Sequence, residues 1–172
     1  ALSTSALAVL MFNAVRRAGS QVACGASRAR LRGDSYDIVN TGGFIRPVNA
    51  PNGSPFGMRY HPVHKRRIMH KGTDIPMPLG TPVYPSRSGT VTFSGWRGGY
   101  GNLVEVQHKD GSRCRYGHLS VLNAKVGDTV QKSKTLLGKV GSTGMSTGPH
   151  LHFEILTPSG KSVNPLAKIG KK

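Results

Sequence analysis

The sequence predicts a mainly β protein built on antiparallel sheet, and three observations predict it. From about Thr41 onward, Gly and Pro recur about every eight to twelve residues between short alternating runs, the rhythm of strands joined by tight turns. No long helical period runs through the chain after residue 40. The pair Asp110-Gly111 separates two of the clearest strand-like runs, and Asp-Gly accommodates the positive φ of a hairpin turn.

Taken in chain order, the first forty residues differ from the rest. Ser3, Thr4 and Ser5 can cap a short helix whose Leu7, Leu10, Met11 and Ala14 share a face. Its apolar run breaks at Asn13 and is too short to cross a bilayer, so no transmembrane segment is expected. A secretory leader carries positive charge ahead of its apolar core, whereas Arg16 and Arg17 follow it here. Gln21 is a poor fit ahead of a lipid-bearing Cys24. Residues 1–33 contain five arginines and no acid, which reads as a basic docking arm. The expected division is therefore 1–40 as helix and arm, and 41–172 as the functional domain.

Within that domain Gly89–Gly95 reads as a strand, with Val91 and Phe93 on one side and Thr90, Thr92 and Ser94 on the other. Asn102–His108 follows, Lys109-Asp110-Gly111 turns the chain, and Ser112–Leu119 returns. Val126–Val130 and Leu136–Val140 are two shorter segments. Pro149–Leu156 closes the set.

Two short words carry the chemistry: His70-Lys71-Gly72-Thr73-Asp74 and His150-Leu151-His152. Residues two apart in a strand project from one face, so His150 and His152 can look into one cavity. Gly72, Pro76 and Pro78 argue against a helix around the first word. His70 and Asp74 are therefore expected to flank a turn leading into a strand. Histidine and aspartate are good ligands for zinc, and three protein ligands leave a fourth position for water. The chain has no His-Glu-x-x-His word, so no glutamate base comes with the ligands. A histidine titrating near neutrality can take that part.

Charge and cysteines narrow the field. The formal charge is +17 over 172 residues, and only seven acids are present: Asp34, Asp37, Asp74, Glu105, Asp110, Asp128 and Glu154. Such a surface favours anionic partners. Aromatics are sparse and no nucleic-acid motif stands out, so nucleic acid is not expected as a substrate. Cys24 and Cys114 lack the paired spacing of a thiolate zinc site. Cys114 lies in a strand-like run and is expected to be a buried, inert thiol. His61, His64 and His108 are read as surface or core residues.

The stretch from Gly57 to Leu156 resembles the M23 family of zinc metallopeptidases, the lysostaphin and LytM-like peptidoglycan endopeptidases. The words that carry the resemblance are Phe56-Gly57-Met58-Arg59, His70-x-Gly72-x-Asp74-Ile75 and Gly99-Tyr100-Gly101-Asn102. With them come Tyr116-Gly117-His118-Leu119, Val126-Gly127-Asp128 and the long run Val140–Glu154. Ser133, at a turn where glycine is common, is a small departure. Residues 1–40 lie outside the resemblance. It implies a LytM-like antiparallel sheet or sandwich, with His70, Asp74 and His152 holding one zinc ion per chain. His118 and His150 would stay off the metal and share proton transfer and oxyanion support.

Glu154 shares a strand face with His150 and His152, and reads equally as orienting a ligand imidazole from outside the cluster or as an ordinary structural ion pair. Arg59 is expected to hold substrate carboxylates, with the basic stretch Lys65-Arg66-Arg67 beside it. Tyr100 or Tyr116 is expected to bring a hydroxyl near the oxyanion, with buried packing the better reading of Tyr116. Gly141, Gly144 and Gly148 suit tight turns and the close approach of a substrate backbone.

The implied activity is zinc-dependent hydrolysis of the peptide stems or cross-links of peptidoglycan. A non-catalytic wall-binding or hydrolase-activating relative is the alternative, and the intact set of five residues argues against it. A carrier-module reading of Val126–Val140 leaves those five residues unexplained. With a basic arm and no persuasive leader, a virion-associated wall hydrolase is slightly favoured over a secreted or periplasmic enzyme. Residues 1–40 would then dock on other virion or envelope proteins.

Overall fold

The computed structural model describes residues 43–51, 53–61 and 65–169. The expected N-terminal helix, the arm, Cys24 and His64 lie outside the described residues. Within them are eleven strands and two short 3₁₀ turns, so the expected mainly β architecture is what the chain adopts. Gly57–His61 (β1) and Arg66–His70 (β2) form a separate antiparallel hairpin. The other strands are Thr73–Pro76 (β3), Pro82–Val83 (β4), Gly89–Trp96 (β5), Asn102–Gln107 (β6), Arg113–Leu122 (β7), Thr129–Val130 (β8), Gly138–Val140 (β9), His150–Leu156 (β10) and Ser162–Val163 (β11). They make one antiparallel sheet in the order β11-β10-β7-β6-β5-β8, with β3 beside β10, β9 beside β7 and β4 beside β9.

Alternation along β10 sets the design. Leu151, Phe153 and Ile155 enter the core with Ile75, Val104, Val106, Cys114 and Tyr116. The intervening His150, His152 and Glu154 point to the other face, as strand geometry requires. Register then lines residues into rows across the sheet. Asp74, His152 and Gly117 stand side by side on β3, β10 and β7. One row further, Glu154, Arg115 and Glu105 stand side by side on β10, β7 and β6.

Two bulges depart from the plain alternation expected of the sequence. Val91 opposes Val106 and Phe93 opposes Glu105, so β5 has one extra residue there and Phe93 crosses to Glu105's face. Val91 is buried in the core, whereas Phe93 is half-buried under the Arg97 guanidinium. The expectation that these two share a face is thereby corrected: an inserted residue reverses parity.

The second bulge is in β7, where Val104 opposes Tyr116 and Asn102 opposes Leu119. Two residues, Gly117 and His118, thus face Leu103 alone. His118 takes φ 62°, a left-handed conformation that costs any residue with a Cβ energy and often marks a working site. The bulge keeps Tyr116 and Leu119 in the core while turning His118 out.

The Asp110-Gly111 hairpin forms as expected, with Gly111 at φ 80° and Asp110 Oδ1 accepting from the Ser112 amide at 3.1 Å. Cys114 is buried and free, and burial pushes its thiol well above the usual range, as expected of an inert thiol. His108 is buried, its Nδ1 donating to the Ser88 carbonyl at 3.0 Å. Ser133, the small departure from the glycine common at that turn, takes φ 59°. Left-handed backbone costs a side-chain-bearing residue roughly 1–2 kcal/mol, partly offset by the greater freedom that glycine loses. Ser133→Gly is therefore expected to stabilise the domain by about 0.5–1 kcal/mol in urea denaturation; an unchanged or lower midpoint would contradict the strain.

Candidate metal centre

The two sequence words meet because β3 and β10 pair in register, placing Asp74 directly opposite His152. β2 ends at His70, and Lys71-Gly72 returns the chain into β3. Asp74 Oδ1 lies 2.8 Å from His152 Nδ1 and 3.1 Å from His70 Nε2, and the two ring nitrogens are 3.2 Å apart. The three side chains form a group whose donor atoms lie within 4.8 Å of one another. His70 and His152 are buried, at 6% and 7% exposure.

The outer nitrogens decide the tautomers. His70 Nδ1 is 2.7 Å from the Pro55 carbonyl, which can only accept, so this nitrogen carries the proton. His152 Nε2 donates to Glu154 Oε1 at 3.1 Å. Both inner nitrogens therefore turn lone pairs toward an ionised carboxylate. Burial would raise the Asp74 pKa, but pairing with the His152 and His70 rings, with a proton between them where no cation sits, holds it far below the usual carboxylate range. Three lone-pair donors crowded this closely repel one another unless a proton or a cation sits among them. Two imidazoles and one carboxylate fit zinc by their chemistry, and each imidazole has the outer hydrogen bond that zinc-binding histidines use.

The remaining histidines flank the group. His118 Nδ1 donates to the Thr143 carbonyl at 2.7 Å, and His150 Nδ1 donates to the Gly148 carbonyl at 2.8 Å. Each ring is left with Nε2 as its open acceptor. The ring centroids are 4.6 Å apart, and His118 is 5.7 Å from the His152 ring. His150 Nε2 comes to 3.7 Å from Asp74 Oδ1. Burial, helped by the neighbouring His150 and His152, pushes the His118 pKa down to about 4. His118 is thus a neutral proton acceptor at ordinary pH.

All five residues line one cleft of about 450 Å³, shared with Arg59, Met69, Lys71, Tyr100 and Met145. Glu154 lies behind His152, its Oε1 accepting from Nε2 at 3.1 Å. Arg59 does not stand free: its Nη1 bonds Asp74 Oδ2 at 3.0 Å and also the Ser54 hydroxyl, so it holds the carboxylate's second oxygen. The hydroxyl of Tyr100 is engaged with Glu154 Oε1 at 2.8 Å. Tyr116 takes the buried alternative, which removes it from substrate binding. It is fully buried with its hydroxyl accepting from the Ser86 amide at 2.8 Å, because its β7 parity faces the core.

Gly72 and Gly144, beside the site, are required by close approach. A Cβ on Gly72 would lie 2.4 Å from the Phe153 carbonyl, 2.9 Å from Glu154 Cγ and 3.0 Å from His152 Cε1. Gly144, at φ 72°, would put a Cβ 2.3 Å from the Gly101 amide. Gly72→Ala is expected to cost about 1–3 kcal/mol through overpacking and to weaken metal binding, since the clash falls on a ligand ring. Wild-type unfolding and metal affinity in that variant would contradict this.

The sequence reading missed the Pro55 carbonyl, the Arg59–Asp74 pair and Arg115. Arg115 Nη1 lies 3.3 Å from Glu154 Oε2. For Arg115 the only sequence signal is its parity with Gly117, which says nothing until β7 is placed beside β10.

Comparison with known proteins gives a consistent result. Residues 68–165 match peptidase family M23. The chain is 43% identical over 136 residues to the DD-carboxypeptidase/endopeptidase Mpg of Neisseria meningitidis, covering 78% of this chain and 31% of that protein. Among solved structures, a zinc-containing peptidase from Vibrio cholerae superposes with TM-score 0.66 at 34% identity, covering 72% of this chain and 39% of that one. The catalytic domain of lysostaphin from Staphylococcus simulans superposes with TM-score 0.62 at 37% identity, covering 69% of this chain and 91% of that domain.

Proposed function

This chain belongs to peptidase family M23, and from that premise we propose that it is a zinc-dependent endopeptidase hydrolysing the peptide cross-links or stems of bacterial peptidoglycan. The observation that carries the reading is the cleft itself. His70, Asp74 and His152 converge there, with two further histidines beside them whose outer nitrogens are both tied to carbonyls. The relatives' names support the substrate class.

His70 Nε2, Asp74 Oδ1 and His152 Nδ1 would hold one zinc ion. Bound there, zinc supplies Lewis acidity toward a water and toward the scissile carbonyl. The protein supplies the proton chemistry. His118, neutral and with Nε2 open to the cleft, accepts a proton, and the nearby His150 likewise ties Nδ1 to a carbonyl and turns Nε2 to the cleft. A histidine that has gained a proton on Nε2 can return it to the leaving amine or support negative charge on the carbonyl oxygen. Among the described residues no carboxylate of the cleft competes for the base role, because Glu154 is held behind His152 and Asp74 is within the ligand group.

The test is mass analysis of muropeptides released from purified sacculi, with and without a chelator. New peptide termini that vanish on chelation and return with zinc are the expected result. Failure of zinc-loaded protein to cleave either diaminopimelate-type or glycine-bridged walls would favour the non-catalytic, wall-binding alternative.

Location is a separate part of the proposal. The basic, acid-free stretch over residues 1–33 supports docking on other virion or envelope proteins, with a virion placement slightly favoured. Among the described residues no helix is long and apolar enough to cross a membrane. Recovery of the protein from culture medium, and its absence from particles, would end the virion placement.

A further inference from the structure

We propose that Arg115 and Tyr100 are positioning residues for the metal centre, acting on it through Glu154 and His152. The inference rests on the metal reading above and concerns side chains that touch neither the ligand atoms nor the open cleft nitrogens.

The basis is the row Glu105–Arg115–Glu154 that crosses β6, β7 and β10. Arg115 uses different nitrogens on the two carboxylates: Nε reaches Glu105 Oε2 at 2.7 Å and Nη1 reaches Glu154 Oε2 at 3.3 Å. The planar guanidinium can bridge two carboxylates in this way, which a lysine ammonium does poorly. Glu105 fixes the far end. It also takes the Thr92 hydroxyl at 3.1 Å and stands 3.4 Å from Arg113 and 3.6 Å from Arg97. The side chains of Arg115, Glu105 and Glu154 are 15%, 6% and 1% exposed, so water does little of this work.

Tyr100 completes the arrangement from the cleft side. Its hydroxyl donates to Glu154 Oε1, the same oxygen that receives the His152 proton. Its ring lies 5.6 Å from the His152 ring and under the Arg115 guanidinium at 5.9 Å. Glu154 therefore has three donors on two oxygens and no freedom to rotate. Anchored like this, it holds Nε2–H of His152 and so presents Nδ1 to the ligand group. Without the anchors its flexible side chain can leave Nε2, and the imidazole loses its fixed tautomer and direction. Partners of this kind are typically worth 10- to 100-fold in metal affinity.

The experiment measures zinc affinity of the full chain by competition with a chelating dye, beside the thermal midpoint of each zinc-free protein. Tyr100→Phe and Arg115→Lys keep ring and charge respectively, and each is expected to weaken zinc binding roughly 10-fold. Arg115→Gln is expected to weaken it roughly 100-fold, with Arg115→Lys a partial rescue. A merely structural role would lower the zinc-free midpoint and leave the affinity of folded protein untouched. Wild-type affinity in both Tyr100→Phe and Arg115→Lys overturns the inference, whether or not Arg115→Gln folds. A wild-type chain that takes up no zinc overturns the metal reading itself.

Discussion

Asp74→Ala is expected to empty the metal centre and abolish hydrolysis. Asp74 Oδ1 is the only carboxylate oxygen in the ligand group, 2.8 Å and 3.1 Å from the two ring nitrogens. Its other oxygen neutralises Arg59 at 3.0 Å. Removing it leaves two imidazoles facing an unpaired guanidinium whose Nε already lacks a partner. Breaking a buried charged arrangement by deleting one partner costs about 3–5 kcal/mol. Carried over to zinc, that is a loss of roughly 10²- to 10⁴-fold in affinity. Zinc content should fall from one per chain to near zero after dialysis, with turnover at the level of chelated wild type. Stoichiometric zinc in the purified Asp74→Ala protein would remove Asp74 from the ligand set.

His118→Ala and His150→Ala should give the opposite combination: zinc retained within a few-fold and turnover lowered by ~10²- to 10⁴-fold, the usual worth of a positioned acid or base. The reasoning is geometric. Both rings tie Nδ1 to a backbone carbonyl and face each other at 4.6 Å, beside the ligand group and outside it. His150 is the sharper test, because its Nε2 comes to 3.7 Å from Asp74 Oδ1. If His150→Ala loses its zinc, His150 is a ligand and the proposed division of labour fails. Metal content and single-turnover rates on the same preparations distinguish the two cases.

Much of this site was legible in the sequence because strand parity is local. His150, His152 and Glu154 alternate with Leu151, Phe153 and Ile155, so a shared polar face could be read from spacing alone. The Asp110-Gly111 turn was legible for the same reason, its φ requirement belonging to two adjacent residues. Phe93 was misplaced and the turn of His118 was unseen, because a bulge is a relation between two strands. Val106 and Glu105 locate the first, and Tyr116 and Leu119 bracket the second. Tyr116 and Tyr100 both stand in glycine-rich words, and burial was the better reading of Tyr116 from its strand-like run. Only pairing with Val104 and Phe153 shows that its side chain enters the core.

By itself the sequence determined the kinds of donor present, their order along the chain and the β character of the domain. It did so because residue chemistry and two-residue periodicity need no partner. The tertiary structure decided what each donor does. Each of the five functional side chains has a choice of atoms to offer, and the choice depends on what lies behind it: Pro55 for His70, Glu154 for His152, Thr143 and Gly148 for His118 and His150, Arg59 for Asp74. Most of those partners lie far away in sequence. A ring nitrogen becomes a lone pair or a donor according to the hydrogen bond made by its opposite nitrogen. For His70, Asp74 and His118 that bond comes from a distant segment and exists only once the strands are in register.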